Sequence, residues 1–290
     1  MIPIFIVGSP RCGTTCLSRC IRSSPGLPGY DEGHFLTNLL DFAVLRHTLS
    51  EKIRENPHES NPDVAASHFP EYITEQMLYG IFKRAYENIC KKQYEKLYVI
   101  DSDKKREPLP LSHKYFVDKS PGPKGILICK YLIKIWPNAK FIFMKRRSIE
   151  NIFSRMKKFE NNDYTVEKFT KHCNQWVNDM SYWYSDTKPH MPKSSYIEID
   201  QYDIMYHPKG VISRICNLIP DLLDYKAPMI NYMKNQFPES TNPDQRPTIL
   251  SINSVAWKQK FKNIHNNICK NDLDKYNYTL DINYRKSNDK

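Results

Sequence analysis

The sequence predicts an α/β fold: a central parallel sheet with helices on both faces, in a single domain. Three observations carry it. Residues 2–7, Ile-Pro-Ile-Phe-Ile-Val, are an apolar run of buried-strand length, followed by a glycine-bounded turn and a helical pattern. Strand, turn and helix recur from Tyr115, and again from Lys140. Strands alternating with helices give parallel pairing with right-handed crossovers, and ligands then gather at the carboxyl ends of the strands.

The first turn reads Gly8-Ser9-Pro10-Arg11-Cys12-Gly13-Thr14-Thr15 and runs into a helix carrying Leu17, Cys20 and Ile21. Gly8 and Gly13 let the backbone turn tightly, so that successive N–H groups can point into one concavity. The helix adds its free N–H groups and positive dipole end. This is a phosphate loop of the P-loop type with one departure. The ATP-binding pattern places Lys after the second glycine, whereas Thr14 stands there and the cation has moved into the loop as Arg11. A planar guanidinium suits a tetrahedral oxyanion, and Thr14 and Thr15 offer hydroxyl donors. The plain alternative is a tight turn without a ligand, in which Arg11 would be an odd choice.

The remaining elements follow in order. Ser24-Pro25-Gly26-Leu27-Pro28-Gly29 reads as a loop, then Asp31, Glu32, Gly33 and His34 precede a helix-like stretch from Phe35 to Leu49. Residues 54–70 read as an exposed loop over the site. Ile73 to Leu97 has helical spacing at Met77, Ile81, Ala85 and Ile89, and residues 101–112 read as a surface loop. Tyr115-Phe116-Val117 is a short strand ending in Asp118-Lys119-Ser120-Pro121. A helix from Ile126 to Trp136 stops at Pro137. Lys140 to Met144 is the third strand, and it enters Lys145-Arg146-Arg147-Ser148 and a helix through Phe159. Phe169 to Tyr184 is helical, with Trp176 and Trp183 expected in the core. Ser195 to Ile199 is a strand and Val211 to Ile219 a helix. A polar loop spans 235–248 and a short helix starts near Ser254. The domain is expected over residues 1–270, with a polar, frayed tail over 271–290.

Composition narrows the function. The 290 residues suffice for a sizeable core without metal or disulfide help. A net charge of +11 suits polyanionic ligands, or no more than a solvated basic surface. The eight cysteines (12, 16, 20, 90, 129, 173, 216 and 269) form no C-x-x-C pair, which argues against zinc and for buried thiols. No apolar run reaches membrane-spanning length and no signal-peptide pattern opens the chain, so the expected location is cytoplasmic, or secretory if an anchor precedes Met1.

With these residues in view, the chain resembles the sulfotransferase superfamily, which uses 3′-phosphoadenosine-5′-phosphosulfate (PAPS). The likeness lies in Gly8–Thr15, the Ser-Ser-Pro-Gly after the first helix, and the acidic pair before His34-Phe35-Leu36. The stretch from Asp118-Lys119-Ser120-Pro121 through Trp136-Pro137-Asn138-Ala139-Lys140-Phe141 to Arg146 and Ser154 is most similar to the tyrosylprotein sulfotransferase branch and related bacterial enzymes. Tyr202 to Pro208, then Trp257, match later landmarks more weakly.

The resemblance implies roles. Arg11, Cys12, Gly13, Thr14 and Thr15 would hold the 5′-phosphosulfate, and Arg146 and Ser154 the 3′-phosphate. Ser154 lies two helical turns along the helix that Arg146 precedes. Lys119 would stabilise the bridging oxygen as the bond breaks. The base would be Glu32, with Asp31 next and His34 third; counting does not separate Asp31 from Glu32. No metal is implied, since Arg and Lys neutralise what Mg²⁺ neutralises in kinases. The sequence departs from the family at Ser120, at Arg147-Ser148 and at Ala256. The expected acceptor is a hydroxyl or amine on a small molecule, carbohydrate or peptide tyrosine, with no specific nucleic acid partner. The alternatives are a nucleotide-dependent kinase, which would want Lys at position 14, and a non-catalytic polyanion or nucleic-acid binder.

Overall fold

The computed structural model describes residues 1–23, 25–31, 75–98, 111, 114–235 and 249–285. The expected helix over 35–49, the loop over 54–70, all but Asn235 of the loop over 235–248, most of the loop over 101–112, and Glu32 and His34 lie outside them; Asn235 ends a helix. Five strands form one parallel sheet: β1 (Ile2–Gly8), β2 (Gly29–Asp31), β3 (Tyr115–Pro121), β4 (Lys140–Lys145) and β5 (Tyr196–Asp200), in the order β2-β3-β1-β4-β5. All four expected strands are present, and β2 is an addition. At three residues it is too short to show a period, and it sits directly after a proline-rich turn.

Side chains alternate across a strand, and both faces of β1 are buried. Phe5 and Val7 join Phe116, Phe141 and Phe143 on one face; Ile4 and Ile6 join Val117, Ile142 and Met144 on the other. This is why the strands read as continuous apolar runs. The first face is covered by α3 (Pro123–Ile135), α4 (Ser148–Phe159), α5 (Val166–Ser181) and α9 (Gln259–Lys275), together with α2 (Glu75–Tyr98). The second is covered by α1 (Thr14–Ser23), α6 (Gln201–Tyr206), α7 (Pro208–Leu218) and α8 (Lys226–Asn235). Trp176 and Trp183 are both fully buried, and Trp183 stacks on Phe143 with centroids 4.4 Å apart. All eight cysteines are buried free thiols.

The frayed tail expected after Asn271 is not what the chain does. Helix α9 continues to Lys275, and the rings of Tyr276, Tyr278 and Tyr284 are buried. Tyr278 donates its hydroxyl to Asp200 at 2.5 Å and Tyr284 donates to the same carboxylate at 3.0 Å. Each tyrosine supplies apolar area and one satisfied polar tip, which a count of polar residues does not reveal. The helix expected from Ser254 likewise starts at Gln259 and runs for 17 residues.

Helix α9 also buries His265, whose Nε2 lies 2.8 Å from Ser148 Oγ at the start of α4. Burial, reinforced by the charge of Arg147, pushes this imidazole down to about 4 from 6.5. The unfolded chain therefore binds the extra proton between pH 6.5 and about 4, and stability rises with pH across that window. The gap corresponds to roughly 3 kcal/mol lost by pH 4. Urea unfolding at pH 7 and pH 4.5 should show this loss in the native sequence and a smaller one in His265→Gln.

Candidate active site

Register brings the carboxyl ends of the strands together. Gly8 pairs with Pro121 of β3 and Met144 of β4, while Asp31 pairs with Lys119. Gly8 is required at the end of β1. Its φ is 140°, and an added Cβ would fall 2.1 Å from the Met144 carbonyl oxygen. Its own carbonyl accepts from Gly122 N–H at 2.8 Å, which ties the loop's first residue to the turn after β3.

Between β1 and α1 the loop passes through Arg11 at φ 70° and Gly13 at φ 81°. A left-handed conformation is ordinary for glycine but uncommon for arginine. Three contacts from the region of α4 hold it there. Arg11 Nε donates to Ser154 Oγ at 3.1 Å, Arg146 Nη1 donates to the Arg11 carbonyl at 3.0 Å, and Asn151 Nδ2 donates to the Pro10 carbonyl at 2.8 Å. The N–H groups of Arg11 and Gly13 bond no backbone carbonyl among the described residues, while a turn over Pro10 and Arg11 brings the Cys12 N–H back toward the Ser9 carbonyl. The loop and the first turn of α1 leave donors around one concavity.

Arg11 is half-buried, and the other two cations of the site are buried outright. Lys119 is 2% exposed and donates to Thr15 Oγ1 at 2.9 Å; Arg146 is 4% exposed, and Ser154 is 8% exposed. Burial lowers the affinity of the Arg146 and Arg11 guanidiniums for their protons, though arginine stays charged. Burial also pushes the Cys12 thiol up to about 12, so it fills space as a neutral thiol and is no nucleophile. The structure thus brings together Arg11, Cys12, Gly13, Thr14, Thr15, Lys119, Arg146 and Ser154. Asp31 stands beside Lys119 in register, and its neighbour Glu32 lies outside the described residues.

Sequence reasoning missed the layer beneath. Arg155 donates to Asp179 at 2.6 Å and to Ser9 Oγ, and Ser9 donates to the same carboxylate oxygen at 2.8 Å. All three are buried. Burial raises the Asp179 pKa, opposed by Arg155 and by the bond from Ser9. Asn151, Ser154 and Arg155 fall at i, i+3 and i+4 along α4. Such a polar stripe usually faces water; here it faces the loop. Arg147, which follows Arg146, turns the other way. It pairs bidentately with Glu150, donates to the carbonyls of Leu250, Thr279 and Asp281, and lies 4.7 Å from the Tyr284 ring centre. It therefore fastens the C-terminal segment and takes no part in the loop. A separate cleft of about 270 Å³, at the ends of β4 and β5, has mutually paired charges: Arg285 with Asp203 and Asp200, and Lys145 with Glu198.

A model of the Sulfotransferase family matches residues 3–220, which include every element of this site. The chain belongs to the sulfotransferase family. Among solved structures this sulfotransferase is similar to STF9 from Mycobacterium avium, at 14% identity over 96% of this chain and 78% of that one, with a TM-score of 0.48. It is also similar to the sulfotransferase domain of the Synechococcus PCC 7002 olefin synthase, at 17% identity over 83% and 78% of the two chains, with a TM-score of 0.41. A sulfotransferase from Alicyclobacillus acidocaldarius gives 16%, 81% and 94%, with a TM-score of 0.39. At these scores the assignment rests on the family match. No curated protein matches the sequence. The chain is a sulfotransferase enzyme, and membership implies a sulfate donor. Among the described residues no group of three or more His, Cys, Asp or Glu side chains could hold a metal, and no helix is long and apolar enough to cross a membrane.

The buried pair under the loop sets a stability test. Arg155→Leu would leave Asp179 as an uncompensated buried charge and should cost about 3–5 kcal/mol in urea unfolding at pH 7. Adding Asp179→Leu should recover most of that loss.

Proposed function

We propose that this sulfotransferase moves a sulfuryl group from PAPS to an acceptor hydroxyl or amine and releases adenosine 3′,5′-bisphosphate. The observation that carries the reading is the bond from Arg11 to Ser154. It sets the glycine-flanked loop and helix α4 against one common space, with Arg146 bridging them. A donor with phosphates at both ends of its ribose needs two adjacent anion-binding elements of this kind. The loop N–H groups, Arg11, Thr14 and Thr15 would take the 5′-phosphosulfate. Arg146 and Ser154 would take the 3′-phosphate.

In the transfer, the acceptor oxygen or nitrogen forms a bond to sulfur as the bond from sulfur to the bridging phosphate oxygen breaks. Charge builds on that leaving oxygen. Lys119 would neutralise that charge; its burial and its bond to Thr15 of the loop support the role. The acceptor's proton must go to a base, and Glu32 or Asp31 serves. The pairing of Asp31 with Lys119 in the sheet supports this stretch as the source. The kinase reading has no support at position 14, where Thr replaces the phosphate-binding Lys.

Thermal shift distinguishes the donors, because a ligand that binds only the folded state raises Tm. Adenosine 3′,5′-bisphosphate should raise it more than ATP with Mg²⁺, and the opposite order rejects the reading. On an acceptor found by screening with labelled donor, Lys119→Ala should lower kcat by roughly 10²–10³, the loss seen when one oxyanion donor is removed. Glu32→Ala should abolish turnover and spare bisphosphate binding. If it does not, Asp31→Ala is the variant that should.

A further inference from the structure

We propose that Asn151 is a positioning residue for the sulfated phosphate, acting through the loop backbone without touching the donor. The inference rests on the donor reading above and deepens it. In a trans peptide the C=O and the following N–H point in opposite directions, and no described peptide bond is cis. Asn151 Nδ2 donates to the Pro10 carbonyl at 2.8 Å. The same peptide plane carries the Arg11 N–H, which is thereby turned away from α4 and into the loop. Arg146 does the same one residue on: its bond to the Arg11 carbonyl turns the Cys12 N–H. Between these two planes Arg11 holds its left-handed φ of 70°. That alternation is what makes neighbouring N–H groups converge on an anion.

The chemistry of Asn151 fits the task. The Pro10 carbonyl can only accept, so the amide nitrogen must be the atom that faces it, and that nitrogen also lies 3.4 Å from Cys12 Sγ. The residue is fully buried, so its side chain has one fixed orientation. Without this donor the plane between Pro10 and Arg11 is free to flip, and a flip would present a carbonyl dipole to the anion. Aspartate in the same place would oppose an acceptor to an acceptor and favour the flip. A strained backbone persists only where its surroundings over-determine it, and α4 supplies that here.

The test compares the native chain with Asn151→Ala and Asn151→Asp. In the ¹⁵N-labelled native chain, titration with inorganic sulfate should move the amide signals of Arg11 and Cys12 more than those elsewhere; in both variants the movement should be largely lost. In calorimetry, affinity for adenosine 3′,5′-bisphosphate should fall roughly tenfold in the variants, the effect of one well-placed hydrogen bond. Affinity for 3′-AMP, which lacks the 5′-phosphate, should stay within about twofold. A merely structural role would weaken both nucleotides together, and that result overturns the proposal. So does a native chain whose Arg11 and Cys12 amides ignore sulfate, which needs no variant to fold. If the native chain binds no bisphosphate yet its sulfate shifts still depend on Asn151, the donor reading falls and this inference stands.

Discussion

A loop of backbone N–H groups binds an anion only while its carbonyls are held on the other side, and the structure meets that constraint with helix α4. Asn151 and Arg146 take the carbonyls of Pro10 and Arg11, Ser154 takes the Arg11 side chain, and Arg155 takes Ser9. The helix must itself be immobile for this to work. Its start is fixed by Ser148 on His265, and by Arg147, whose guanidinium gathers three carbonyls and Glu150. The C-terminal segment is thus part of the machinery that shapes the loop. Its tyrosines close on Asp200, which also accepts from the Tyr202 N–H at 2.9 Å as the cap of α6.

The arrangement is costly in desolvation. Arg147, Arg155, Asp179 and Glu150 are all buried, and a buried ion pair is often no better for stability than apolar residues of the same shape. What they supply is directional: Arg155 and Asp179 hold Ser9 of the loop, and Arg147 with Glu150 holds the C-terminal segment against the start of α4. The charge of the site is likewise placed by burial. Lys119 and Arg146 sit in low-dielectric surroundings, where a cation acts on a developing negative charge more strongly than it would in water.

Much of this was legible in the sequence. The β1–loop–α1 unit announces itself through Gly8 and Gly13 at the ends of a short turn, because only glycine tolerates the close approach of Gly8 to Met144 and readily takes the positive φ of Gly13. The buried strands show as unbroken apolar runs, and Trp176 and Trp183 as core. Lys119 and Arg146 were findable because both stand at carboxyl ends of strands. Three things were not legible. β2 is too short to carry a pattern. The tail reads as polar because tyrosine counts as half polar, although its ring is what packs. Asn151 and Arg155, which flank Ser154 on α4, have the spacing of a solvated face, and nothing local says that the opposing surface is protein.

The central claim is that one space, bounded by the loop and α4, receives both ends of a doubly phosphorylated donor. A crystal structure of the complex with adenosine 3′,5′-bisphosphate tests it most directly. The account predicts the 5′-phosphate within hydrogen-bond distance of the N–H groups of the Arg11–Thr15 stretch, about 2.7–3.2 Å, and the 3′-phosphate on Arg146 and Ser154. A nucleotide seated elsewhere, or one whose 3′-phosphate points away from α4, would contradict it.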